Sequence, residues 1–408
     1  MGNGEDFMTE IYQLLKVPTS KTVGELVGEK IKGTGLPDYQ VAQILGISKS
    51  TFSRLITEIE EGKIDKIDFY DVIKLCQFLG IGIEEISQFF VASLKAEQIG
   101  QLEIVRVASF LVQNFDLKGL KDIDFIDNTT DIKGIEKRIT TYFHLDNIFQ
   151  YNGQIGFALF SRQKRSYHDK MKDFWIASAV EQFKRINNPN EYIEQKLLAL
   201  IPKIRPYTRF EKKGFHTVIQ ALYKIGLTVI VQPYISKTSV RGGTFVIDGK
   251  PCIVITDLGK NYATLWFALM HELYHVLKDF ELLSQWNYHL TGDPQADVET
   301  LSEPMANHFA CEMLFPKAKL DYIRNMISSH PVVLQYAEKN GVHPSIIYNF
   351  YCYDEKETNG NNYYPFYSKY FGSAEPALSV VKNNPYTKET ENIEQAAAKH
   401  HSTLEVNN

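Results

Sequence analysis

Apolar positions in residues 22–90 recur with a helical period interrupted by glycines. In Asp38-Tyr-Gln-Val-Ala-Gln-Ile-Leu-Gly46, Val41, Ala42 and Leu45 share one face, which predicts a short helix. Gly46 can take the positive φ of a tight turn, Ile47 fills the corner, and Ser48 is placed to cap a second helix with Phe52, Leu55 and Ile56 inward. This is helix-turn-helix grammar. It sets Lys49, Ser50, Thr51, Ser53 and Arg54 on the outer face, where such motifs meet base edges and phosphates. Asp68–Leu79 reads as an amphipathic helix stopped by Gly80, with a further short helix over Ile83–Ile86.

The middle of the chain is mainly helical in pattern. Phe110–Phe115 is helical, Asp122–Asp131 is a polar connection, and Tyr151–Phe160 reads as a turn into a buried strand. Asp169–Ile186 is amphipathic and stops at Asn187-Asn-Pro-Asn190. From residue 211 the period changes. A helix carrying Phe215, Val218, Ile219 and Leu222 is followed by a buried strand over Gly226–Gln232. Gly243–Ile247 and Cys252–Thr256 then flank Asp248-Gly249, a hairpin signal. After a polar break at Asp257–Asn261, residues 262–278 form an amphipathic helix. Farther on, Leu301, Met305 and Phe309 make an i, i+4, i+8 stripe, and Tyr363, Tyr364, Phe366, Tyr367, Tyr370 and Phe371 suggest a packed aromatic cap. Residues 376–408 are polar, without an apolar face, and are expected to be disordered.

Composition narrows the class. With 408 residues, two or three domains are expected at ~150 residues each. Hydrophobic residues at 44% and charged residues at 23% exclude a wholly disordered chain. No apolar run reaches the ~18–20 residues of a bilayer span, so no membrane partner is expected. Met1–Val17 is acidic and lacks a basic start followed by an apolar core, so a secretory signal is not expected either. Cys76, Cys252, Cys311 and Cys352 lack CxxC spacing and fit reduced thiols in a cytoplasmic protein. Charge is uneven: residues 1–90 hold nine Lys/Arg against fourteen Asp/Glu, and residues 160–213 thirteen against six. Any attraction to nucleic acid would come from the latter, in a homodimer doubly so, although the plainer reading is a solvated helical surface.

The chemistry concentrates in Leu269-Met-His271-Glu272-Leu-Tyr-His275-Val-Leu. His271 and His275 stand one helical turn apart, so both imidazoles can reach one ion such as Zn²⁺. Glu272, next to the first ligand, is placed to act on a metal-bound water as general base. Chance yields such an HExxH in roughly one 400-residue sequence in a hundred. Glu303, in Leu301-Ser-Glu303-Pro304, is the third ligand candidate, expected in the first turn of its helix, with Asp297 and Glu299 as fallbacks. Tyr274, His308 and Arg241 are candidates for stabilising an oxyanion. His308 beside Cys311 invites a thiol-protease reading, but i and i+3 on one helix supply no orienting third group.

Two resemblances organise these parts. Residues 22–90 resemble Xre-type helix-turn-helix repressors in the two helices around Gly46 and in the Leu75…Leu79-Gly80-Ile81…Glu84-Glu85-Ile86 close. After Arg54, Ile56–Lys63 is longer and more acidic than the short turn of that family. The helix, hairpin and HExxH order, with Glu303-x-x-Ala-Asn-x-Phe-Ala and Pro316, resembles the gluzincin-like ImmA/IrrE metallopeptidases over about residues 200–350. Residues 138–200 resemble the connector found when that peptidase follows an Xre domain. Tyr274 stands where the family commonly has Gly.

These resemblances imply an α+β chain: a helix-turn-helix domain over 1–95, a helical connector over 96–200, a small zincin-like peptidase over 201–350, and an aromatic cap with a disordered tail over 351–408. The implied function is zinc-dependent proteolysis of a repressor-type protein in stress response, mobile-element control or phage defence. His271, His275 and Glu303 would hold Zn²⁺, Glu272 would be the base, and DNA would be a partner of the N-terminal domain. The alternative is a DNA-binding regulator or antitoxin whose peptidase-like domain senses without cleaving.

Overall fold

The computed structural model describes residues 23–61, 63, 66–82, 94, 96–151, 169–236, 238, 240–286, 288–292 and 303–405. Its first helices are α1 (Val23–Gly33), α2 (Asp38–Leu45), α3 (Lys49–Glu60), α4 (Phe69–Leu79) and α5 (Ala96–Asn114). The chain divides within α5 into two units, Met1–Phe110 and Leu111–Asn408. Residues 111–200 of the expected connector fall in the second unit, together with the region expected to be the peptidase.

In the first unit, Val41, Ala42 and Leu45 of α2 pack with Phe52, Leu55 and Ile59 of α3 and with Val72 and Leu75 of α4. Gly46 closes α2 at φ 71°, a left-handed conformation that spares glycine a Cβ clash. Ser48 then caps α3, its side chain accepting from the Thr51 N–H. Lys49, Ser50, Ser53 and Arg54 are exposed. Thr51 departs from the expected outer face. It is half-buried and its Oγ1 lies 2.8 Å from Ser48 Oγ, because the cap draws it inward. Asp68 caps α4 and Gly80 ends it; Ile83–Ile86 lie outside the described residues.

The second unit continues with α6 (Leu117–Asp122), α7 (Ile132–Phe143), α8 (Lys170–Ile186), α9 (Glu194–Leu200) and α10 (Gly214–Lys224). The strand expected over Tyr151–Phe160 falls, after Tyr151, outside the described residues. Asp169–Ile186 was expected to be amphipathic, with residues 160–213 forming a solvated surface. Instead α8 is buried from Met171 through Phe183 apart from Asp173, with Lys172 and Glu181 included, whereas Arg185, Lys196, Lys203, Arg209, Lys212 and Lys213 beyond its core are exposed as expected. It packs against a sheet on one side and the C-terminal helix on another, so solvent reaches it chiefly at its last turn, at Lys184 and Arg185.

That sheet has strands β1 (Thr228–Gln232), β2 (Gly242–Ile247) and β3 (Lys250–Thr256), then β4 (Tyr288–Thr291) after helices α11 (Tyr262–Lys278) and α12 (Phe280–Trp286). The order is β1-β3-β2-β4. β1 and β3 are parallel, while β2 is antiparallel to both β3 and β4. The β2–β3 hairpin turns through Asp248 (φ 51°) and Gly249 (φ 73°), the paired left-handed residues of a type I′ turn. Helices α13 (Glu303–Leu314), α14 (Lys317–Ile323), α15 (His330–Lys339), α16 (Pro344–Asn359), α17 (Tyr364–Tyr367), α18 (Glu375–Val381) and α19 (Ile393–Leu404) complete an α+β unit. No helix among the described residues is long and apolar enough to cross a membrane.

Two further expectations change. The Leu301/Met305/Phe309 stripe is not the buried face of α13: Met305 is exposed, Leu301 lies outside the described residues, and Ala306, Ala310 and Leu314 face inward. Small residues there let α13 approach α11 closely. The expected disordered tail is instead folded. α19 buries Ile393, Ala396, Ala397, His400 and Leu404 against α8 and α10. Lys382 pairs with Asp257 at 2.6 Å, and Arg138 donates to the carbonyls of Thr387 and Glu391. Along β1, the Asn383 N–H donates to the Val231 carbonyl and His400 Nε2 meets the Val229 carbonyl at 2.8 Å. The tail reads as polar because alanine and histidine fill the interface. The aromatic residues before it stack on α16, Tyr348 on Tyr370 at 4.6 Å and Tyr351 on Tyr363 at 5.6 Å, while Phe366 faces solvent.

A buried His–His–Glu cluster at the mouth of a cavity

α11 starts at Asn261, whose side chain accepts from the N–H groups of Ala263 and Thr264. Trp266, Leu269, Met270, Leu273 and Val276 bury the helix, which contacts β2, β3, α13 and α16. Its remaining stripe carries His271, Glu272 and His275, with exposures of 1%, 1% and 0%. Glu303, the first residue of α13, comes up beside them.

Three donor atoms converge. His271 Nε2 and His275 Nε2 are 3.2 Å apart, and the Glu303 carboxylate oxygens stand 3.3 Å from each. Ligands held at ~2.0–2.1 Å in a tetrahedron stand about 3.3–3.4 Å from one another, so this spacing matches three corners of such a site. The far ring nitrogens are committed: His271 Nδ1 lies 2.9 Å from Asn307 Oδ1, and His275 Nδ1 lies 2.7 Å from Asp279 Oδ2. With acceptors on both Nδ1 atoms, each Nδ1 carries a proton, and each Nε2, once it gives up any proton of its own, turns its lone pair toward the point shared with the Glu303 carboxylate. Such a set of facing acceptors fits a cation. The buried His271–His275–Glu303 group could hold a metal ion.

The charges reinforce one another. Burial pulls the His275 imidazole down, but hydrogen bonds to Asp279 and Glu303 and the charges of Glu272 and Glu303 raise it to about 9. Burial pushes Glu303 up, yet hydrogen bonds with His271, His275 and His289 hold it far below the usual carboxylate range.

The sheet edge fixes both carboxylates. Thr244 Oγ1 on β2 donates to Glu272 Oε2 at 2.7 Å, and Thr291 Oγ1 on β4 donates to Glu272 Oε1 at 2.7 Å. His289, two residues before Thr291 and opposite Thr244, meets Glu303 Oε1 at 2.6 Å through Nε2. Residues i and i+2 share a strand face, so one short strand serves both acids. Gly242 leaves room for this: a Cβ there would stand 2.9 Å from Glu272 Oε1.

A cavity of about 830 Å³ opens from His271, Glu272 and Glu303 past Asn307 and Cys311 to Phe350, Tyr353, Tyr364 and Phe371. Arg241 and Lys260 also line it. Tyr274 does not line it; its ring packs on His275 and Phe309. His308 is exposed, and burial pushes the Cys311 thiol up to about 12, with the nearby charges of Glu312 and Asp354 in the same direction, so no thiolate is offered. Asp297 and Glu299 lie outside the described residues. Lys49, Ser50, Thr51, Ser53 and Arg54 belong to the other unit.

Sequence reasoning missed Thr244, Asp279, His289, Thr291 and Asn307. Two carry the signal already used for the histidines, since Asp279 is four residues beyond His275 and Asn307 four beyond Glu303. The alternation in Tyr288-His-Leu-Thr291 could have announced the strand pair. Family models, curated proteins and solved structures all return no match for this chain.

Proposed function

We propose that the second unit is a zinc-dependent peptidase of the ImmA/IrrE kind that cleaves a repressor-type protein, joined to an Xre-like helix-turn-helix unit. One observation carries this reading: three donors at tetrahedral spacing lie beside a buried glutamate at the mouth of a cavity. His271, His275 and Glu303 would hold the ion, and when bound it supplies Lewis acidity for a scissile carbonyl and for water. Glu272 accepts the proton of the attacking water and passes it to the leaving amine. Thr244 and Thr291 hold its two oxygens, each of which keeps a second lone pair for that proton. Asn307 and Asp279 orient the imidazoles. Unpaired Cys76, Cys252, Cys311 and Cys352 support a reducing, cytoplasmic setting.

The test is metal analysis of the purified protein, with mass spectrometry of co-expressed repressors. About one zinc per chain is expected. Glu272→Gln should keep the fold and the zinc and lose cleavage by ~10²–10⁴-fold, as for a missing general base. Cleavage that survives in this variant overturns the assignment.

A second reading rests on α3, which turns Lys49, Ser50, Ser53 and Arg54 to solvent from a capped helix. In it the protein is a DNA-binding regulator and the His–His–Glu cluster only senses. Glu272→Gln would then behave as wild type in cells, whereas a peptidase variant would behave as a deletion and the repressor would persist.

A further inference from the structure

Away from the His–His–Glu cluster, the cavity lining includes aromatic and cationic side chains. Phe350, Tyr353, Tyr364 and Phe371 make it aromatic. Arg241 and Lys260, both exposed, also line it, and no carboxylate partner for either occurs among the described residues. The acid beside them, Asp257, is already neutralised by Lys382 at 2.6 Å. The cations are held on fixed backbone. Arg241 N–H donates to the Thr291 carbonyl at 2.9 Å, and its own carbonyl accepts from Thr256 N–H and Oγ1. The Lys260 carbonyl accepts from Ala374 N–H at 3.0 Å, next to the bridge between Asn261 and Ser373.

We propose, resting on the peptidase reading, that this cavity selects a protein segment presenting a bulky apolar side chain and an acidic side chain within about three residues of each other. A cavity of about 830 Å³ is about 10 Å across, which at ~3.3 Å per residue admits roughly three extended residues. The aromatic lining takes the apolar side chain, and the two cations, free of internal partners among the described residues, take the carboxylate. A basic segment would meet Arg241 and Lys260 with like charge.

The test uses the full chain carrying Glu272→Gln and supplied with zinc, so that binding is read without turnover. Three fluorescent peptides of equal length contain Phe with Glu, Phe with Lys, or Ala with Glu, two residues apart. Anisotropy should rank the Phe/Glu peptide at least tenfold tighter than the other two. Arg241→Glu with Lys260→Glu should reverse the Glu/Lys order, and Tyr353→Ala, at a side chain 40% exposed, should narrow the Phe/Ala difference. Equal binding of the Glu and Lys peptides, or an order unchanged by the double reversal, overturns the proposal. Cleavage of the Phe/Glu peptide by the wild-type chain is scored separately. The expected order without cleavage keeps the pocket and sinks the peptidase; cleavage without the order does the reverse.

Discussion

α11 and β4 approach the same cluster by different rules. The helix offers His271 and His275 four residues apart, with Glu272 between them. The strand offers His289 and Thr291 two residues apart, which reach the carboxylates of Glu303 and Glu272. The helix supplies two of the converging donors and the strand holds the carboxylates beside them. A four-residue strand with little core of its own can do this because its pairing with β2 sets the register of Thr244, His289 and Thr291 at once.

Breaking the helix side should cost most. His271→Ala or His275→Ala leaves two of three ligands, and zinc should be lost on dialysis; retention of one zinc per chain would remove these residues from the metal site. Glu303→Ala should do the same, and full zinc there would make the third ligand wrong.

The strand side should give a graded loss. His289→Ala frees Glu303 Oε1, and zinc affinity should fall by ~10–100-fold, the usual effect of removing a group that orients a ligand. Competition with a chelator measures it, and unchanged affinity would reduce β4 to packing. Thr291→Val removes one hydrogen bond to the Glu272 carboxylate, a charged-group bond of about 1.5–3 kcal/mol. Zinc content should hold while kcat falls by roughly 10–100-fold; a parallel loss of zinc would mean that the strand does not separate the two acids.

The smallest effect lies far from the cluster. Burial lowers the His400 pKa, against weaker hydrogen bonds that raise it, so the folded state keeps this imidazole neutral while the unfolded chain protonates near 6.5. Its stabilisation is complete above that pH and lost as pH falls, by up to ~1.4 kcal/mol per unit. Thermal melts of wild type and His400→Gln from pH 7.5 to 5 should therefore differ in slope below pH 6.5. Parallel slopes would show that His400 titrates alike in both states.

The same contrast explains what the sequence disclosed. α11 was legible to its ends, Tyr262 and Lys278, because a large-residue apolar stripe, an Asn cap and the HExxH spacing coincide. The β2–β3 hairpin was legible in Asp248-Gly249, where two positive φ angles demand that dipeptide chemistry. β4 was not, since four residues give too few alternations to stand out, and its role depends on pairing with a strand more than forty residues earlier. α8 misled in the opposite sense: Lys172, Glu181 and Gln182 look like a solvent face but are buried between a sheet and a helix distant in sequence. α19 misled because Ala396, Ala397 and His400 are weak hydrophobic signals that nonetheless fill a close helix contact.

The contacts of Asn383 and His400 with the carbonyls of Val231 and Val229 bear on how the protein behaves in a test tube. β1 is the outermost strand on its side of the sheet, and every one of its residues is buried. Removing residues 382–405 would bare a short strand with an apolar centre, Val229–Val231, and vacant main-chain acceptors, a template for pairing with another molecule. Shortened versions that keep the whole metal cluster should thus fail through precipitation and mispaired oligomers, not through damaged chemistry. A soluble fragment worth crystallising has to retain the last helix.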